Sequence, residues 1–261
     1  IAMVYFSFNG LPLSIASELF KWAFISGILR GSYILSLSRA YSTEDISYVY
    51  PIARSAPVFV PLFAWIFLGE QISLLTFLAV LAIILAIYII HFDESVIKGL
   101  KNMFLAISHN DMRWTFITLF LVVSYSLVDK NAMDKYMFYF PETPFSNGVT
   151  FFFLEAVIGF TLCNIYIFKK IPREEIWKNW CLDWRKCFLA GVATTFSYGL
   201  ICIVLQFEKL SAIVSLRQTS VLMVVYWGCW KLNEPYGRKR IIAGLLVILG
   251  VFLISIDEGV V

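Results

Sequence analysis

Charge is what this chain has least of. Only 15% of its 261 residues are Asp, Glu, Lys or Arg, where a soluble domain carries about 25%. A soluble domain of this length buries a sizeable core but still needs a polar skin, and there are too few charges here to make one. Histidine is scarcer still. The two present, His91 and His109, lie near one long connection and show neither an HExxH pattern nor metal-ligand spacing. The five cysteines form no CxxC pair, and most lie within apolar runs, where they read as small buried hydrophobes. No DDxxD cluster, P-loop or GxGxxG turn is present, which removes prenyl transfer and an ATP-driven engine within this chain. No catalytic residue, metal or cofactor is expected. The net charge of +3 does not point to nucleic acid, because basic residues beside apolar runs ordinarily report topology.

What is abundant is apolar sequence: 60% of residues, with a mean hydropathy of +0.79. A bilayer core of about 30 Å takes about 20 apolar residues in a helix. Eight stretches qualify: 19–38, 46–68, 74–90, 114–128, 149–168, 187–205, 212–230 and 241–256. They are longer than barrel strands and apolar all round, so they predict helices whose backbone groups are satisfied internally. The expected fold is an all-α polytopic membrane protein with the lipid bilayer as its main partner. The first residues, Ile1 to Phe6, form an apolar stub that ends at Asn9-Gly10-Leu11-Pro12. Too short to span and lacking a signal peptide's basic flank, the stub predicts the tail of an earlier helix, and the chain a fragment.

The sequence also repeats. Shifted by 164 positions, Glu44 falls on Glu208, Ser47 on Ser211, Leu68 on Leu232, Glu70 on Glu234 and Asp93-Glu94 on Asp257-Glu258. Phe24 and Gly27 fall on Phe188 and Gly191. The charged matches carry the argument, because they sit where helices begin and end. Each visible copy holds three helices, and two more precede the second. A complete protein would hold five plus five. An odd number per copy inverts the second one in the membrane, a recurring plan of secondary transporters. The expected organisation is residues 1–94 as the remainder of a first repeat, 95–113 as a connection and 114–261 as a second repeat.

Two stretches carry a family resemblance. One runs from Ala40-Tyr41 through Tyr48-Val49-Tyr50-Pro51-Ile52-Ala53 and Ala56-Pro57-Val58 to Leu68-Gly69-Glu70. The other runs from Leu210-Ser211-Ala212 through Leu232-Asn233-Glu234-Pro235 to Ala243-Gly244 and Leu249-Gly250. With these, nearly the whole chain resembles the drug/metabolite transporter superfamily, specifically EamA-type proteins. It departs at Val221, where the first copy has Pro57. The resemblance implies a transporter fold and leaves the substrate open.

Within the spans, polar residues need a reason, because a charge deep in a helix costs about 2.5–3.5 kcal/mol on insertion scales. Arg30, Arg54 and Arg217 qualify, with Gln218 beside the last. One reading is a cationic patch for an anionic metabolite, since the guanidinium fork suits carboxylate and phosphate. The other pairs each arginine with a protein carboxylate, Glu155 being available, or lets it snorkel to the interface. Tyr33 and Tyr198, near equivalent places in the repeat and each following a serine, are the better hydroxyl candidates; Gln206 is similar. Asp129-Lys130 reads as a local ion pair at a helix end. Glu70 and Glu234 read as caps of the turns that follow their helices, with a gating role as the alternative. Pro51, Pro57 and Pro61 predict a kink in one helix.

Basic residues outside the buried arginines divide fourteen to four between the two sides. The positive-inside rule then puts the C-terminus outside, whereas the resemblance puts both termini in the cytoplasm, so orientation stays open. The connection and the Trp-bearing stretch 169–186 read as interfacial anchors or solvated loops. The expected function is a secondary transporter, exporter or exchanger, of a small polar metabolite with a lean towards anions. Alternatives are an exporter of amino acids or amphipathic drugs, a membrane-embedded lipid-modifying enzyme, and a non-transporting scaffold. Expected partners are a small-molecule substrate and a coupling ion or counter-substrate, in a multi-pass protein of the plasma (inner) membrane. Oligomeric state is not legible.

Overall fold

The computed structural model describes residues 12–43, 56–71, 73–91 and 113–217, with positions 242, 244–246, 248–250, 252–253 and 256. Nearly all are helical, and no strand occurs among them. The elements are α1 (Leu13–Thr43), α2 (Ala56–Leu68), α3 (Leu74–His91), α4 (Arg113–Tyr139), α5 (Pro144–Lys170), α6 (Arg173–Val204) and α7 (Leu210–Leu216). The described positions from 242 onwards are also helical.

The boundaries follow from local chemistry. Pro12, which lacks an N–H to donate, opens α1 through its carbonyl. The Ser73 side chain caps α3 by accepting from the Thr76 N–H at 3.0 Å. Pro144 opens α5, where a missing N–H removes nothing from the helix, and Lys169 and Lys170 sit at the end where the dipole favours cations. Glu174 and Glu175 occupy the complementary first turn of α6. Gly69, with φ +69°, lets the chain leave α2 in the left-handed conformation that other residues avoid.

Helices α1, α4, α5 and α6 run longer than the apolar stretches that announce them. α4 continues past Val128 to Tyr139 through Asp129, Lys130, Asp134 and Lys135, so Asp129-Lys130 is not a helix end and Lys130 and Lys135 are not loop charges. Stretch 169–186 is likewise no solvated loop: α6 begins at Arg173 and bends at Asp183, whose φ of −121° and ψ of 15° interrupt the helix. Trp177, Trp180 and Trp184 stay exposed along it. By length and composition, three of the described helices suit a membrane crossing: Arg113–Tyr139, Pro144–Lys170 and Trp180–Val204. Phe59–Leu68 and Leu74–Ala86 are shorter apolar segments. Exposed Phe160, Phe188, Leu189 and Phe196 make little sense against water and fit lipid.

Two compact units emerge. The first takes the chain up to Leu35 together with Ser124–Glu208; the second takes Ser36–Val123 and the chain from Lys209. Each draws on both halves of the sequence. In the second unit, Ala79, Ile83 and Ala212 form a small core with Leu253 against it. Gly250 is required there, since a Cβ on it would stand 2.7 Å from Ile83 Cγ1 and 2.9 Å from Ala79 O. Glu70 accepts from Leu210 N at 2.7 Å, Ser211 N at 3.3 Å and Ser211 Oγ at 3.0 Å. It caps the N-terminus of α7, where a carboxylate opposes the positive end of the dipole, instead of the turn that follows α2. Glu234 lies outside the described residues.

Candidate functional site

In the first unit, α1 and α5 touch through glycine. A Cβ on Gly27 would lie 2.7 Å from Ile158 Cβ and 2.8 Å from Glu155 O; one on Gly31 would lie 2.9 Å from Gly159 O. Gly27 and Gly31 are four residues apart on α1, the small-residue spacing that lets membrane helices approach backbone to backbone. The Cys163 thiol sits against Gly31 O at 3.6 Å. At this distance side chains near the contact must interact or clash.

They interact as a buried polar cluster. Arg30 Nη1 donates to Glu155 Oε1 at 2.9 Å. The Glu155 side chain is fully buried and that of Arg30 is 14% exposed. The guanidinium carbon lies 3.3 Å from the Tyr198 ring centroid, 5.6 Å from that of Tyr125 and 5.9 Å from that of Phe152. A cation in this position is stabilised by the negative faces of the rings. Tyr33 extends the aromatic wall, 5.5 Å from Tyr125.

A second carboxylate, Asp129 on α4, is buried in the same cluster. Its Oδ1 accepts from Ser26 and its Oδ2 from the Tyr198 hydroxyl. The neighbouring lysine turns elsewhere: Lys130 Nζ donates to Asp134 Oδ1 at 2.7 Å and to Leu205 O at 2.9 Å. Asp129-Lys130 is therefore not a local ion pair. Ser26, Arg30 and Tyr33 follow one face of α1 at offsets of four and three; Tyr125 and Asp129 share a face of α4.

Of the residues singled out from sequence, the structure brings together Arg30, Tyr33 and Tyr198, with Glu155 as the arginine's partner. Arg217 follows α7 in the second unit and is half-buried. Arg54 and Gln218 lie outside the described residues, as does Pro51. Gln206 is occupied structurally: its amide donates to Pro144 O at 2.7 Å and Ile203 O at 3.2 Å, and its oxygen accepts from Asn147 at 3.1 Å. Sequence reasoning missed Asp129 and Ser26 as site residues. The available signal was an acid next to an apolar run, in line with a tyrosine one turn earlier.

Ionic, hydrogen-bonding and aromatic groups thus converge where α1, α4, α5 and α6 meet. Among the described residues no group of His, Cys, Asp and Glu is placed to hold a metal ion. The profile of the EamA-like transporter family matches residues 1–92 and 114–256. No curated protein matches the chain.

Proposed function

The chain belongs to the EamA-like transporter family, and on that premise we propose that it is a secondary transporter, an exporter or exchanger, of a small polar metabolite. Members of the family are membrane transporters of small solutes, which supports an integral membrane protein with a transport role. The finer reading rests on one observation. A guanidinium is held in the spanning region of the first unit by one carboxylate oxygen and a frame of tyrosines.

Arginine–carboxylate pairs are frequently bidentate. Here, among the described residues, Glu155 meets Arg30 through Nη1 alone. A solute carboxylate or phosphate has the geometry to engage the remaining donors in a bidentate fashion. Tyr33 and Tyr198 supply hydroxyls and ring faces beside it. The lean towards anionic solutes follows, with Arg217, Arg54 and Gln218 as further binding residues. The sequence repeat supports the remainder of one EamA-like repeat at 1–94 and a second at 114–261, joined by 95–113; the membrane proposed for it is the plasma (inner) membrane.

The test is counterflow in proteoliposomes with a panel of anionic, zwitterionic and cationic metabolites. Exchange of an anionic member, reduced at least tenfold in Arg30→Gln, is the expected result. Exchange confined to cationic members would discard the anion reading. No exchange of any member would discard secondary transport of small polar metabolites.

A further inference from the structure

The buried cluster has an uneven charge count. Two carboxylates, Asp129 and Glu155, face one guanidinium, Arg30. Among the described residues, the other groups around them are Ser26 on α1, Tyr125 on α4, Phe152 on α5 and Tyr198 on α6, and none of these carries a compensating positive charge. Lys130, the nearest lysine in sequence, is bonded to Asp134 and Leu205 O. With both acids ionised the cluster would hold one uncompensated negative charge away from water, which is costly.

The hydrogen bonds show where a further positive charge fits. Of the four carboxylate oxygens, Asp129 Oδ1 and Oδ2 and Glu155 Oε1 each accept a donor. Glu155 Oε2 is buried and has no hydrogen-bond partner among the described residues. A hard metal cation needs several oxygen ligands at once, and here three are already committed to O–H and N–H groups. A proton needs one oxygen.

We propose that Glu155 is a proton-carrying residue, binding one proton at Oε2 while Asp129 and Arg30 remain charged, and that this proton is the coupling ion of transport. The reaction is proton association alone: the carboxylate gains H⁺ from the aqueous side that the site opens to, and no other bond changes. The coupling half rests on the transporter reading; the proton site does not. Two acids sharing one counter-charge titrate as a unit, so neutralising Asp129 removes the reason for the proton on Glu155. An anionic solute that engages Arg30 acts oppositely. It leaves the carboxylates with less counter-charge and favours proton binding, which by reciprocity means that proton binding favours the anion.

The experiment is an infrared pH titration of the purified full chain, reading the C=O stretch of protonated carboxylic acid. It needs no solute. The wild type is expected to show a band that persists near neutral pH and disappears on alkalinisation. Glu155→Gln should abolish it, and Asp129→Asn should lower its midpoint by about one pH unit or more. A wild type without the band, an unchanged band in Glu155→Gln, or an unmoved midpoint in Asp129→Asn would each overturn the proposal. Should the variants fail to fold, dicyclohexylcarbodiimide, which adds to protonated carboxyls in apolar surroundings, decides on the wild type. Modification mapped to Glu155 and suppressed at high pH supports it; modification confined to other acids overturns it. A normal band with no counterflow would leave the proton site standing and remove the transport reading. Counterflow without the band would do the reverse.

Discussion

Arg30 and Tyr198 are stacked, with the guanidinium carbon 3.3 Å from the ring centroid, and the hydroxyl of the same tyrosine donates to Asp129. One side chain therefore contacts the cation through its face and an anion through its edge. These contributions separate by substitution. Tyr198→Phe keeps the ring and leaves Asp129 with the Ser26 hydroxyl as its donor among the described residues, a loss of about 1–3 kcal/mol for a buried charged acceptor. Tyr198→Leu removes the stacking as well, a further loss of about 1–2 kcal/mol. Thermal melts in detergent should rank wild type above Tyr198→Phe above Tyr198→Leu. Equal melting of the two variants would show that the ring face contributes nothing.

The glycine contact between α1 and α5 gives a prediction with an internal control. Gly31→Ala places a methyl 2.9 Å from Gly159 O, a backbone atom that cannot swing aside. The helices must part, and the Arg30–Glu155 bond lengthens with them. A loss of about 1–3 kcal/mol is expected, the range for overpacking. Gly191 on α6 has nothing within 4 Å of its would-be Cβ. Gly191→Ala should be neutral or stabilise by up to about 1 kcal/mol through helix propensity. Melting temperatures of the two alanine variants, measured side by side, decide it.

The sequence and the structure agree most where a residue's environment is set by its own helix. The apolar runs marked α1, α3 and α5, because lipid burial needs only length and composition. Their extents were too short, since the runs stop at polar residues and the helices do not. Asp129 shows why. Read along the chain it belongs with Lys130; in space its partners come from α1 and α6, and α4 continues through it. Arg30 and Glu155 each stood out as mid-helix charges, but what pairs them is the approach allowed by Gly27, Gly31 and Gly159. Glu70 was visible as a cap, whereas its target, the start of α7, lies 140 residues away.

That target makes a clean stability test. Glu70 receives two backbone N–H groups and the Ser211 hydroxyl at the N-terminus of α7. Glu70→Ala leaves those donors without it and removes a favourable charge–dipole interaction, at a cost of about 1–2 kcal/mol. Glu70→Gln should recover part of this, since its amide oxygen still accepts. If Glu70 instead acts as a gate, Glu70→Gln would melt like the wild type and transport far more slowly.

Arg217 separates binding from folding in the second unit. It follows α7 by one residue and is half-buried. Arg217→Gln keeps a polar, hydrogen-bonding side chain and removes the charge. Acting on the solute, it should lower counterflow of an anionic metabolite about tenfold or more, the order of one charge-assisted hydrogen bond, with folded yield unchanged. Arg217→Lys should recover little, because an ammonium lacks the planar fork. A variant that transports normally would remove Arg217 from the binding residues. One that loses folded yield in step with transport would make the arginine a structural partner of its own unit, and the anion site would then rest on Arg30.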